Sequence, residues 1–186
     1  MKLANLFILF FSISTSSCFI SIQKEIPGFR SGYLSLSDEE KNKINFTSQS
    51  KPHTLNAITG SELFQLLSVY DSTMVYIWSP SCSSDVCVPL FVFNQYCSSK
   101  NLEPIVVVEY VDLDKTLPQL DDTSTYYIIN FLAYKSDLVN RYKNKFKSDM
   151  INDPSISISQ TKGHRYFKFV RNKFVKSQID FNALIE

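Results

Sequence analysis

Four glycines in 186 residues leave little room for a glycine-rich loop that cradles phosphate. Nineteen lysines and arginines stand against eighteen aspartates and glutamates, so the chain carries almost no net charge. With no long run of one sign either, nothing points to nucleic acid. There is no His-Glu-x-x-His and no nucleophile elbow, which sets aside zincin and α/β-hydrolase chemistry. No apolar run is long enough to span a ~30 Å hydrocarbon layer as a retained helix, and no internal repeat or low-complexity tract occurs.

What the chain does have is 44% hydrophobic and 14% aromatic residues, enough for one domain with a real core. Its first eighteen residues read as a targeting segment. Lys2 supplies a positive charge, Leu3 to Ile13 is apolar apart from Asn5 and Ser12, and STSSC brings small residues up to Cys18. The segment resembles bacterial lipoprotein signals: Ser16, Ser17 and Cys18 match, while Thr15 stands where leucine is commoner. That resemblance implies cleavage before Cys18, lipidation of Cys18, and a lipid-anchored, extracytoplasmic location in the cell envelope. Three cysteines then remain for the folded part, Cys82, Cys87 and Cys97, an odd number outside a reducing compartment.

Residues 19–52 read as a tether with little structure. They contain Pro27-Gly28, and Ser37 and Glu40 stand at capping-box spacing for a short helix. From His53 the pattern tightens into a domain running to residue 186. HTLNAIT reads as a weak strand, GSELFQLLSVY as a helix, TMVYIW as a buried strand, and Ser83 to Ser98 as a helix. PIVVVEYVD is a second buried strand, and Ser124 to Met150 has apolar positions at helical intervals. HRYFKFVRNKFVK signals a hairpin about Arg171-Asn172, and IDFNALIE a closing helix. Alternation of strand and helix predicts an α/β fold with a parallel component.

This element order, with Trp78-x-x-x-Cys82 at the end of the first buried strand, resembles the thioredoxin superfamily over residues 53–186. The resemblance implies a three-layer α/β/α sandwich with a central mixed sheet of four to five strands. It also implies a thiol centre at Cys82, with Trp78 beside it and the helix N-terminus favouring the thiolate. Pro89 lies near the place of the family's helix-kinking proline. The family's second cysteine would fall at Asp85, and Cys87 comes two residues later. Within a regular helix Cys82 and Cys87 would have Cα atoms about 8.6 Å apart, beyond the roughly 7 Å a disulfide allows. A bridge therefore requires Cys82 in the loop before a helix capped by Ser83 or Ser84. No Lys, Arg or His lies between Asp71 and Ser99 to stabilise a thiolate. Where the family places a substrate-docking cis-proline, this chain has Gly163-His164.

Three functions stay open at this point. In the first, Cys82 attacks a disulfide or peroxide of an envelope client or redox partner and Cys87 resolves, with Trp78, Gly163 and His164 at the substrate surface and no cofactor. In the second, the domain is a redox-inactive scaffold that binds an envelope protein. In the third, by likeness to Sco-type copper proteins, Cys82, Cys87 and His164 hold copper. Cys97 reads as a small buried hydrophobe on the helix. Asp112 and Asp114 read as acidic caps after a strand.

Overall fold

The computed structural model describes residue 38 and residues 44–45, 55–84, 86–120, 125–136 and 138–185, the side chains of 45, 184 and 185 excepted. The Ser37/Glu40 capping box, Asp121, Asp122 and Asp85 lie outside these residues.

The chain runs β1 (Ile44–Asn45), β2 (Leu55–Ile58), α1 (Gly60–Leu67), β3 (Ser72–Trp78), α2 (Leu90–Ser99), β4 (Glu103–Val108) and α3 (Leu113–Thr116). It continues through β5 (Tyr126–Ile129), α4 (Phe131–Tyr134), α5 (Val139–Ile151), β6 (Tyr166–Val170), β7 (Lys173–Gln178) and α6 (Asn182–Ile185). One mixed sheet has the order β1-β2-β5-β4-β3-β6-β7. The first five strands in that order are mutually parallel, and β6 runs antiparallel to both of its neighbours, β3 and β7. Consecutive residues of β6 show the two faces. Tyr166 stacks on Tyr76 beside Phe93 of α2, whereas the ring of Phe167 lies under Lys147 of α5. Helices α1 and α5 share that second face, so the fold is a three-layer α/β/α sandwich compatible with the thioredoxin type.

Seven strands, six without the two-residue β1, exceed the four to five expected, and two of the extra strands have clear causes. β1 pairs in parallel with β2, so the sheet reaches into the segment read as tether. β5 comes from the stretch read as continuous helix, Ser124 to Met150. There the run Tyr126-Tyr127-Ile128-Ile129 has the aromatic and β-branched character that favours a strand. Asn130 then accepts a hydrogen bond from the Ala133 N-H at 3.2 Å to begin α4. Lys135, at φ 50°, ends that helix in a left-handed residue. β5 inserts between β2 and β4.

A second correction concerns Ser83 to Ser98. α2 begins only at Leu90, with Pro89 as its N-cap at φ −56° and ψ 145°. Proline disfavours helical backbone in the residue before it, so Val88 is pushed toward the extended region. The bridge between Cys82 and Cys87 adds a second obstacle, since its Cα separation of 6.1 Å is not available to residues five apart in a helix.

The core is continuous across both faces and rich in large rings, with Tyr76, Tyr142, Tyr166, Phe93, Phe146, Phe167 and Phe169 all fully buried. α1 is fixed at its start by a capping box, Thr59 accepting from the Glu62 N-H while Glu62 accepts from the Thr59 N-H.

At the sheet edge, Lys168 of β6 stands directly opposite Lys176 of β7. Like charges at opposed positions are destabilising, and an opposite pair is worth roughly 0.2–1 kcal/mol. Lys168→Glu is therefore expected to raise the midpoint of thermal unfolding by up to about 3 °C. Calorimetry checks this, and an unchanged or lowered midpoint would show that the two ammonium groups do not meet.

Candidate functional site

β3 and β4 deliver their carboxyl ends side by side, Trp78 opposite Val108, and the Trp78 carbonyl accepts the Glu109 N-H at 2.8 Å. Carboxyl ends of parallel strands are where open α/β sheets place their ligands. The chain leaving Trp78 makes two successive tight turns, closed by the Cys82 N-H on the Ser79 carbonyl at 3.1 Å and the Cys87 N-H on the Ser84 carbonyl at 2.9 Å. Between them lies the Cys82–Cys87 disulfide, with both cysteines half-buried. The Ser84 hydroxyl lies 3.3 Å from the Cys82 sulfur.

Two buried phenols hold the second half of this loop. The Tyr166 hydroxyl donates to the Val86 carbonyl at 2.9 Å and accepts from the Val88 N-H at 3.4 Å, while the Tyr76 hydroxyl donates to the Val88 carbonyl at 3.3 Å. The rings stack with centroids 4.5 Å apart. Burial is the main cause that raises both phenols above the ordinary range, so they remain hydrogen-bond donors through neutral pH.

The β4 end supplies a charged neighbour. Lys115 pairs with Asp112 at 2.9 Å and donates to the Ser81 hydroxyl at 2.9 Å, and Ser81 in turn donates to Asp112 at 3.3 Å. The hydrogen bond to Asp112, followed by its charge, raises the Lys115 pKa, so Lys115 is an ammonium donor and not a base. This brings a cation next to the residue before Cys82, which the local sequence lacks. Asp112 also caps α3, accepting from the Lys115 N-H at 3.3 Å.

Trp78 is 3% exposed, a core residue with little surface to offer a client. Gly163 is exposed at φ 79°, a left-handed position that suits glycine. His164 is half-buried, its Nδ1 2.7 Å from the Ser177 hydroxyl. Burial first, then the charge of Lys147, lowers its pKa, so it is neutral at pH 7. The described residues contain no cis peptide bond. No three His, Cys, Asp or Glu among the described residues gather as a metal site, and Cys82, Cys87 and His164 are not assembled as ligands. Cys97 is a free thiol on α2, fully buried, and burial pushes its pKa up to about 12, which makes it inert.

A second charged group lies on the α5 face of the same sheet end. Glu109, nearly buried, meets Lys143 at 3.2 Å and Arg165 at 3.6 Å, and Tyr142 donates to the Glu109 carbonyl at 2.8 Å. Lys147 is 1% exposed. It donates to the carbonyls of Thr161 at 3.1 Å and His164 at 2.7 Å, fixing the segment that leads into β6. Burial, and then the charge of Lys143, depresses its pKa to about 8. The signals for this group were a glutamate breaking the apolar run VVVEYV and a lysine next to the apolar stripe of α5.

No family model matches the chain, and no characterised protein or solved structure matches it either. None of the described helices is long and apolar enough to cross a membrane.

Proposed function

We propose that this is a lipid-anchored protein of the bacterial cell envelope, held through Cys18, whose thioredoxin-like domain exchanges disulfides with an envelope client or redox partner at Cys82 and Cys87. The observation that carries the reading is the disulfide itself, half-exposed on the loop that leaves the interior strand β3 at the carboxyl edge of the sheet. A client thiolate attacks one sulfur and forms a mixed disulfide, while the electron pair of the broken S–S bond leaves on the other cysteine. In the reverse direction, Cys82 attacks a client disulfide and Cys87 displaces the reduced client. The hydroxyl of Ser84, 3.3 Å from the Cys82 sulfur, can donate to its thiolate, and the Lys115 ammonium is held on the preceding residue, Ser81, while the helix N-terminus lies eight residues away at Leu90. No cofactor is required.

Reduced protein is expected to be alkylated at Cys82 faster than free cysteine near neutral pH, and Cys82→Ser to abolish reduction of a test disulfide such as insulin. Mass-spectrometric alkylation kinetics and insulin turbidity read the two results. Alkylation of Cys82 no faster than of free cysteine, with unchanged turbidity in Cys82→Ser, would overturn the exchange reading.

The second reading is a redox-inactive scaffold for an envelope protein, favoured by the phenol clamp on residues 86–88 and by a loop with no helix N-terminus beside Cys82. The copper reading needs both cysteines reduced and His164 turned off Ser177. It predicts stoichiometric Cu(I) retention that His164→Ala removes.

A further inference from the structure

The hairpin of β6 and β7 carries a charge pattern that disulfide exchange does not use. Between Asp153 and Asp180 the chain has six basic residues and no acidic one, which leaves thirteen basic residues against all eighteen acidic residues elsewhere. The near-zero net charge thus conceals a basic wing. Three of the six lie on one face of the hairpin. Register places Lys168 opposite Lys176 and Val170 opposite Lys173, with Cβ atoms of opposed residues about 5 Å apart. Among the described residues the ammonium groups of these three lysines have no ion pair or hydrogen bond. Val170 is 45% exposed. Val175, 51% exposed, is the bulged residue, since pairing passes from Lys168 opposite Lys176 to Phe169 opposite Phe174.

We propose that this strip docks an acidic segment of a partner protein, its carboxylates set among Lys168, Lys173 and Lys176 and its apolar side chains on Val170 and Val175. Charge complementarity names the chemistry. A strip two strands wide, roughly 10 Å, suits one extended chain. The inference goes beyond the exchange reading and stands whether or not the disulfide is active.

The test uses the full chain and a fluorescein-labelled peptide of alternating Glu and Val, followed by anisotropy. Saturable binding is expected at 50 mM NaCl, weakening at least tenfold at 200 mM as surface charges are screened. Lys168→Gln/Lys176→Gln is expected to lose at least tenfold in affinity with a circular-dichroism melt no lower than that of the unaltered chain, while Arg141→Gln, an exposed base on α5, binds as the unaltered chain does. A peptide with Lys in place of Glu should not bind. No binding at 50 mM, or equal binding by the double variant, would overturn the proposal. So would capture by phosphatidylglycerol over phosphatidylcholine vesicles by a margin the double variant abolishes, since an anchor adds equally to both and the strip would then belong to lipid.

Discussion

Gly60→Ala is expected to destabilise the protein by about 3 kcal/mol, enough to lower the midpoint of thermal unfolding by roughly 6–12 °C. Gly60 opens α1 where that helix crosses α5. A Cβ placed there would run into the backbone carbonyl of Phe146, and would lie 2.7 Å from both the Asp149 Cβ and the Met150 amide nitrogen. Two of the three obstacles are helix backbone, so no rotamer change relieves them and the helices must separate. Separation also pulls the Gly60 N-H from the buried Tyr134 hydroxyl it meets at 2.7 Å, a hydroxyl that itself donates to Asp149. Alanine would be the better helix former at an exposed site, by up to about 1 kcal/mol. The sign of the measured change thus separates propensity from close approach. A neutral or stabilising result in a denaturant titration would show that α1 and α5 do not touch at this point.

The contact explains why a chain so poor in glycine spends one on a helix start, and it shows what sequence could and could not disclose. The helix from Gly60, the strands TMVYIW and PIVVVEYVD and the hairpin about Arg171-Asn172 were legible because period and turn chemistry agree with the fold there. The start of α2 was not. Ser83 and Ser84 are good caps and nothing in SSDVCV forbids helix, but the bridge to Cys87 and the proline at 89 fix the loop instead. β5 was missed because Ile128, Phe131 and Leu132 also satisfy a helical interval, so tertiary pairing with β4 and β2 decided the outcome.

The same limit applies to the candidate site. Local sequence put Cys82 among no cations, yet α3, which follows β4, delivers Lys115 to Ser81 across thirty-four positions. Glu109, Lys143, Lys147 and Arg165 come from three separate stretches, and only the crossing of α5 over the sheet collects them. The basic wing was legible in principle. Counting charge over the whole chain hid it, and counting between Asp153 and Asp180 shows it.

Raising the pH is expected to strengthen the fold slightly and then unfold it cooperatively before pH 12, because the buried titratable groups have opposite signs. Lys147 is held at about pH 8 in the folded state against an ordinary 10.5, so across that interval the unfolded chain binds more protons. Stability then rises with pH, by about 3 kcal/mol over the interval from this residue alone. Cys97 works the other way. Its thiol, pushed up to about 12 from an ordinary 9, contributes stability that is complete below pH 9 and falls as pH climbs. Tyr76, Tyr142 and Tyr134 act likewise, all raised above the ordinary phenol range chiefly by burial, so their contribution is intact below pH 10 and lost above it. Each phenol costs about 1.4 kcal/mol per pH unit, so two units across three phenols, with the thiol, remove on the order of 10 kcal/mol. That is comparable with the whole stability of a typical domain. The maximum should fall between pH 9 and 10, and phenolate absorbance at 295 nm should appear together with loss of far-ultraviolet dichroism. In Lys147→Met the rise above pH 8 should vanish while the alkaline collapse remains. Should all ten tyrosines titrate smoothly near pH 10 with the dichroism intact to pH 12, the packing of Tyr76 under α2 and of Tyr142 against β4 would be wrong.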